Sequence, residues 1–316
     1  MDYFVSFPVS GVKTSVFLPP IVGFAVSLFA SMGGVSGAFL LLPFQITFLH
    51  FFSPSVSATN FVYNIVAIPS GVYRYIREGR MVWPLAGIII AGTLPGVALG
   101  YYLRVWYLPN PKAFRLFVGC VLLVIGARLL CEVLLWLLRG KDAIIAADPK
   151  ERTSTFGVRP AAILPLGTLV KAVSYSSRLV EYEFCGERFS FGIPRMLALT
   201  FIVGIIGGAY GIGGGSIIAP LCVSLFGLPV YTVAGAALLG TFLTSIAGVF
   251  FYSALPATAG ISTIPDWPLG ILFGLGGLLG MYCGARLQRF VPQRTIKTML
   301  ALMMLFLAVS YIAKSL

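Results

Sequence analysis

A few polar side chains interrupt long apolar stretches of this sequence, and their types suit binding better than catalysis. Asn60 and Asn64 are four residues apart, so they share one face of a helix, with Ser57 one turn before them. Amide and hydroxyl groups can donate hydrogen bonds to an oxyanion without holding a charge in lipid. Hydrogen bonding between neighbouring helices would explain the same residues, and both interpretations stay open at this point.

A glycine-rich stretch, GGAYGIGGGSIIAP at 207–220, offers donors of another kind. It resembles a phosphate-binding loop, but no strand precedes it and no lysine follows, which argues against a nucleotide site. A glycine loop before a helix still exposes backbone N–H groups beside the positive end of the helix dipole. Bare N–H groups are costly in a bilayer, so we expect them to face protein, water or an anion. Close helix packing is the competing explanation, since Gly207 and Gly211 form a GxxxG motif.

The candidate binding residues come from this stretch, from a weaker copy of it (SMGGVSG at 31–37) and from two polar helix faces. They are Gly33, Gly34, Ser36, Gly37, Asn60, Asn64, Gly211, Gly213, Gly214, Gly215, Ser216, Thr241, Thr244 and Ser245. Gln45 and the lone His50 are weaker candidates. The sequence offers no Ser/His/Asp, Cys/His or paired-carboxylate arrangement, so we predict no enzymatic activity, no metal and no cofactor.

The composition indicates that these residues are held within a membrane. Of the 316 residues, 58% are hydrophobic and only 10% are charged, and the mean hydropathy is +0.96. Soluble domains are less apolar and more highly charged. The net charge of +12 does not indicate nucleic-acid binding, because the basic residues lie between apolar segments, where they act as topology signals. We therefore predict an all-α integral membrane protein.

Eight apolar segments can be recognised, and two of them are too long for one crossing. The segments are 16–52, 55–73, 83–103, 113–137, 196–226, 229–254, 267–285 and 295–313. A helix over the first would be about 55 Å long, against a hydrocarbon core of ~30 Å. Both long segments carry glycines near their middle. We expect each to form two half-membrane helices, or a re-entrant hairpin, joined by a glycine loop deep in the bilayer.

The two long segments also align with each other, which indicates an internal repeat. MGGVSGAFLLLPF at 32–44 lies over AYGIGGGSIIAPL at 209–221, so that Pro43 matches Pro220, and at this spacing Thr241 falls on Asn64. Trp-Pro at 83 and 267 then precede matching rows of glycines, namely Gly92, Gly96 and Gly100 and Gly276, Gly280 and Gly284. Each row is expected to serve close helix packing. We predict a first repeat at 1–138, an insertion at 139–194 and a second repeat at 195–316.

The basic residues favour an inverted relation between the repeats. The loop with Arg74, Arg77 and Arg80 and the loop at 286–297 are both basic, and both face the cytoplasm only if the repeats are inverted. The loop to which we assign Arg104, Lys112 and Arg115 does not fit this scheme.

The insertion at 139–194 differs from both repeats. The alternation at 168–192, with a turn at Cys185-Gly186-Glu187, predicts a β-hairpin or small sheet in the cytoplasm. It is either an ordered linker or a regulatory or partner-binding element.

Taken with the duplication, GxxGxGGGxxxxP from Gly208 to Pro220 makes the chain resemble the TauE/SafE sulfite exporter family, also called TSUP. The resemblance covers both repeats. In the first copy Ser36 and Ala38 replace glycines, and the insertion is longer than the short linker of the family. The resemblance implies a multi-pass permease of the bacterial inner membrane that exports small sulfur-containing anions such as sulfite, sulfoacetate or other organosulfonates. A channel or facilitator, or a transporter of another small anion, is the alternative.

The partners expected on this interpretation are the small anionic substrate and the lipid bilayer, without nucleic acid. A homodimer stays open, and any cytoplasmic partner of 139–194 is unknown.

Overall fold

The computed structural model describes residues 4–138, 170–176, 178–255 and 262–315, and these residues are mainly helical. The helices are α1 (Leu18–Met32), α2 (Ala38–Phe48), α3 (Ser55–Arg77), α4 (Trp83–Tyr102), α5 (Pro111–Leu138), α6 (Ile193–Tyr210), α7 (Gly214–Phe226), α8 (Val230–Ala254), α9 (Trp267–Leu287) and α10 (Gln293–Ser315). A π-helical turn, Leu103–Tyr107, continues α4, and a 3-10 turn, Gln288–Phe290, continues α9.

Five spans within the described residues are long and apolar enough to cross a membrane. They are Trp83–Tyr107, Pro111–Cys131, Ile193–Tyr210, Val230–Ala254 and Trp267–Phe290. Shorter apolar helices, among them α1 and α2, lie beside them. The prediction of an all-α, multi-pass membrane protein is confirmed.

Both long apolar segments are broken at their glycines, as predicted. The first break separates α1 from α2, and the second separates α6 from α7. At the second break φ is +82° at Gly211 and +75° at Gly213, a left-handed region that favours glycine. The expectation of half-membrane helices is wrong for α6, whose 18 residues can cross a membrane alone. The reason is that α6 starts directly after a strand, at Ile193, three residues earlier than the predicted segment.

The glycine rows bring helices into backbone contact. On α9 a side chain at Gly276 would overlap the carbonyl oxygen of Pro20 on α1. On α4 a Cβ atom at Gly96 would lie 2.5 Å from the carbonyl oxygen of Phe201 on α6. Each row therefore packs against the first helix of the other half of the chain, as close packing requires. The inverted relation itself stays a prediction.

Two small antiparallel sheets accompany the helices. β1 (Phe4–Ser6) pairs with β2 (Lys13–Ser15), a hairpin that the sequence did not predict. The predicted small sheet is present as β3 (Lys171–Tyr175), β4 (Leu179–Phe184) and β5 (Glu187–Gly192). The remainder of the insertion, 139–169, lies outside the described residues.

The three-stranded sheet is held against the helices at two points. The hydroxyl of Tyr182, whose pKa is raised by burial, lies 2.9 Å from that of Thr232 at the start of α8. The backbone N–H of Val170 donates to the carbonyl of Gly79 in the loop between α3 and α4, at 3.0 Å.

Candidate functional site

The second glycine break lies between three helices that leave no room for side chains. A side chain at Gly211 would overlap Ser57 on α3, and a Cβ atom at Gly213 would lie 2.8 Å from the Cγ2 atom of Thr241 on α8. A Cβ atom at Gly214 would lie 2.6 Å from the Cγ2 atom of Thr93 on α4. The glycines of this stretch are therefore needed for close approach as well as for their dihedral angles.

Asn64 joins the two glycine breaks through one side chain. Its Oδ1 atom accepts a hydrogen bond from the hydroxyl of Ser36 in the first break. Its Nδ2 group donates to the carbonyl of Ile212 in the second break at 3.1 Å and to the hydroxyl of Ser245 on α8 at 3.0 Å. Ser36, Asn64 and Ser245 are thus brought together as the sequence predicted. Since both N–H bonds of the amide are used, Asn64 positions the two loops in this conformation.

The predicted hydroxyl donors of α8 bind carbonyls of their own helix. Thr241 donates to Ala237 at 2.9 Å, Thr244 donates to Gly240 at 2.8 Å, and Ser245 donates to the carbonyl of Thr241 at 2.7 Å. A hydroxyl has a single proton, so these three groups present only acceptor lone pairs to their other neighbours. In this conformation they do not offer an anion the donors that the sequence analysis assigned to them.

Asn60 differs from Asn64 and from the hydroxyl residues of α8. Its side chain is fully buried, and neither its Nδ2 nor its Oδ1 atom has a hydrogen-bond partner among the described residues. On the same face of α3, Ser57 lies against Gly211 and Asn64 binds Ile212. Asn60 lies between them, on the face that contacts the second glycine break. The site therefore has one buried amide with its full hydrogen-bonding capacity open.

The two helix N-termini at the breaks differ. At the first break the hydroxyl oxygen of Ser36 accepts a hydrogen bond from the N–H of Ala38, at 3.1 Å, at the start of α2. At the second break the N-cap residue of α7 is Gly213, which has no side chain to cap the first turn. Ser216 lies in that turn, but its side chain falls outside what the structure describes. The start of α7 thus follows Gly211, which lies against Ser57 on the face of α3 that also carries Asn60.

The glycines of the first break are packed tightly. A side chain at Gly33 would overlap Leu300, and one at Gly37 would overlap the hydroxyl of Tyr63. Gly34 has φ +71°, and its Cβ atom would lie 2.5 Å from the Cα atom of Ala234 on α8. The first break thus lies against the second half of the chain.

The structure makes two buried polar residues stronger candidates for ligand binding than the sequence did. Gln45 on α2 is fully buried, and its amide has no partner among the described residues. Arg104, which the sequence analysis assigned to a loop, is fully buried in the π-helical turn after α4. A signal for Arg104 was present, because it continues the four-residue spacing of Gly96 and Gly100 and so falls on the packed face of the helix.

Two broken apolar segments that bring a buried amide and the N-terminus of a helix to the same break, inside a multi-pass membrane protein, form an arrangement typical of secondary transporters. Residues 20–311 match the family model described as Sulfite exporter TauE/SafE, and the chain belongs to that family of membrane transporters. No solved structure matches the chain significantly. No group of three or more His, Cys, Asp or Glu residues that could hold a metal is found in the part of the chain that the structure describes.

Three curated proteins illustrate the similarity. Probable membrane transporter protein YunE of Bacillus subtilis is 22% identical over 296 residues, which cover 91% of this chain and 93% of that protein. Probable membrane transporter protein MJ0441 of Methanocaldococcus jannaschii is 30% identical over 43% of this chain and 49% of its own length. Probable membrane transporter protein YdhB of Bacillus subtilis is 28% identical over 31% of this chain and 37% of its own length.

Proposed function

We propose that this transporter moves small sulfur-containing anions, such as sulfite, sulfoacetate or other organosulfonates, out of the cell across the bacterial inner membrane. The substrate binds beside Asn60 and the N-terminus of α7, between the two glycine breaks, and alternating access exposes that site to each side in turn. The description of the matching family supports a sulfite-like substrate. The observation that carries the proposal is the buried amide of Asn60, which has no hydrogen-bond partner among the described residues.

A buried amide without a partner is costly in a chain whose helices only pack. Each buried donor or acceptor without a partner costs about 1–3 kcal/mol. Leucine at position 60 would have a similar size without that cost. A ligand that accepts a hydrogen bond from Nδ2 offsets the cost, and the N–H groups in the first turn of α7, after the glycine N-cap, would bind the same ligand.

The sign of the ligand charge follows from the groups around the site. Divalent cation sites in proteins usually include carboxylate oxygens. Among the described residues the buried carboxylate is that of Asp266, and it is occupied at the start of α9. It accepts from the N–H of Ser10 at 2.9 Å and from the N–H of Leu269 at 3.3 Å. The open Nδ2 group of Asn60 and the N–H groups at the start of α7 are donors, and the buried carboxylate is occupied elsewhere, so we infer an anion.

The proposal is tested by reconstituting the full chain into liposomes and measuring uptake of radiolabelled sulfite, with sulfoacetate, thiosulfate and chloride as competitors. We expect sulfite flux that the sulfur anions inhibit more strongly than chloride does. Flux of chloride alone would show that the transported substrate is a different small anion. Transport of a cation alone would overturn the proposal.

A matched pair of glycine variants tests the place of the site. Gly214→Val would press against Thr93 and is expected to abolish flux. In the control, Gly87→Val, the same side chain enters open space on α4, where a Cβ atom meets nothing within 4 Å, and flux should be retained. Equal flux in both variants, at equal amounts of inserted protein, would show that the glycine break serves packing alone.

A further inference from the structure

Arg104 is a buried cation whose charge the structure leaves unbalanced. Its Nη1 group donates to the carbonyl of Leu108, and the guanidinium carbon lies 3.8 Å from the centre of the Phe114 ring. Its Nε and Nη2 atoms have no hydrogen-bond partner, and no carboxylate forms an ion pair with it, among the described residues. A buried charge without a counter-charge is strongly unfavourable.

Arg80 is a second buried arginine of the chain, and its positive charge is paired with a carboxylate. It is also buried, at 3% exposed, but its Nη2 group lies 2.5 Å from a carboxylate oxygen of Glu78 and 3.1 Å from the carbonyl of Ala285. Its Nη1 group donates to the side chain of Gln288 at 2.5 Å. Arg80 thus has a counter-charge within the protein, whereas Arg104 has a ring and one carbonyl.

The open atoms of Arg104 lie on one edge of the guanidinium. The N–H bonds of Nε and Nη2 point in parallel, and this edge binds two oxygens of one anion in bidentate pairs. A sulfite, a sulfonate or a similar oxyanion presents two oxygens at a suitable spacing. The side chain has no exposed surface, so it does not face the lipid headgroups, and the ligand we consider is a small free anion.

Arg104 is also close to the second glycine break. Tyr252 on α8 is within electrostatic reach of the guanidinium, and its hydroxyl donates to the carbonyl of Gly208 at 3.1 Å. Gly208 is the first glycine of the motif that ends at Pro220. The side chain of Ser57, one turn before Asn60, lies beside the same tyrosine hydroxyl. Tyr252 therefore interacts with Arg104 and also with Ser57, which lies on the face of α3 that carries Asn60.

We propose that Arg104 forms a second anion-binding site, which holds a small oxyanion by the Nε and Nη2 edge at one mouth of the route to Asn60. The proposal rests on the proposed function, because the anion is the transported substrate. The π-helical turn that carries Arg104 suits this role, since such turns occur frequently at functional sites.

Binding of sulfite to the purified full chain tests the site separately from transport. The measurement uses an Asn60→Leu background, which removes the site at the glycine break, in detergent or zwitterionic lipid. We expect sulfite to raise the unfolding temperature of this variant, because ligand binding stabilises the folded state. Adding Arg104→Gln should weaken sulfite binding at least tenfold, and adding Arg104→Lys should weaken it less, because the charge remains but the fork is lost. Adding the control Arg80→Gln should change the affinity less than twofold.

A purely structural role of Arg104 gives a different result. In that case Arg104→Gln lowers the unfolding temperature in the absence of sulfite and leaves the sulfite affinity unchanged, which would overturn the proposal. If the glutamine variant does not fold, an affinity of Arg104→Lys equal to that of the parent overturns it. In flux assays, Arg104→Gln should raise the half-saturating sulfite concentration at least tenfold, and an unchanged value would refute the second site while the proposed function stands. Absence of sulfite flux in the wild type would refute the proposed function, and the binding titration would still decide the role of Arg104.

Discussion

Replacing Asn60 by leucine should separate stability from transport. The substitution removes two buried polar groups that have no partner among the described residues and keeps a similar side-chain size. Each such group costs about 1–3 kcal/mol, and imperfect packing of the leucine offsets part of the gain from removing both. The free energy of unfolding should therefore rise by a net amount of about 1–3 kcal/mol. Sulfite flux should fall to background, because the substrate loses its amide donor. Unfolding in detergent micelles and flux in liposomes measure the two effects on the same preparation.

Asn64 provides the matched control, one helical turn away on the same face. Asn64→Leu removes hydrogen bonds to Ser36, Ile212 and Ser245, and it leaves their buried polar groups without this partner. We expect a loss of about 2–4 kcal/mol in the free energy of unfolding, since a net hydrogen bond contributes about 0.5–1.5 kcal/mol. If Asn60→Leu also destabilises the protein, or if it transports sulfite normally, then Asn60 is an ordinary packing residue and the reasoning about the site fails.

Two further predictions concern stability and topology. Asp266→Ala should lower the free energy of unfolding by about 1 kcal/mol, because α9 loses its N-cap, whereas Asp266→Asn should retain most of it; equal stability of both variants would contradict the capping role. A thiol introduced by Ser262→Cys should react with an impermeant reagent from outside the cell, whereas the native thiol of Cys185 should react only from the cytoplasm; labelling of both from the same side would refute the inverted repeats.

The breaks and the packed faces could be predicted because each depends on glycine and on local spacing. Glycine at positions 211 and 213 permits left-handed dihedral angles inside an apolar segment, so the sequence alone places the break. The spacing of four between Gly276, Gly280 and Gly284 defines one helix face. Neither inference requires knowledge of which helix is the neighbour.

The partners of the polar groups could not be predicted, because they depend on contacts between distant segments. Asn60 and Asn64 look equivalent in the sequence, yet one is fully hydrogen-bonded and the other has no partner among the described residues. The hydroxyl of Thr244 was assigned to a ligand, but it donates to the carbonyl four residues earlier, which is a local alternative open to any helical threonine. Which polar residue is left for a substrate is therefore decided by tertiary packing.

The two glycine breaks are held at corresponding points by tyrosines. The hydroxyl of Tyr75 donates to the carbonyl of Ser31 at 3.0 Å, and the hydroxyl of Tyr252 donates to the carbonyl of Gly208 at 3.1 Å. The two pairs are related by the same spacing that aligns the prolines of the two breaks. Each tyrosine thus holds the backbone shortly before a break, one in each half of the chain.

The groups next to these tyrosines differ, and the difference suggests how a substrate could act on one end alone. Gln288 continues the glycine row of α9 as Arg104 continues that of α4, and it binds Tyr75 at 3.0 Å and the charge-paired Arg80 at 2.5 Å. At the first break, the groups next to the tyrosine are therefore paired with one another within the protein. At the other end Arg104 has a charge that no described side chain balances, so an arriving anion would supply the missing partner beside the tyrosine. Binding energy from the substrate is then available at one break and not at the other, and such a difference is what a ligand needs in order to shift a conformational equilibrium.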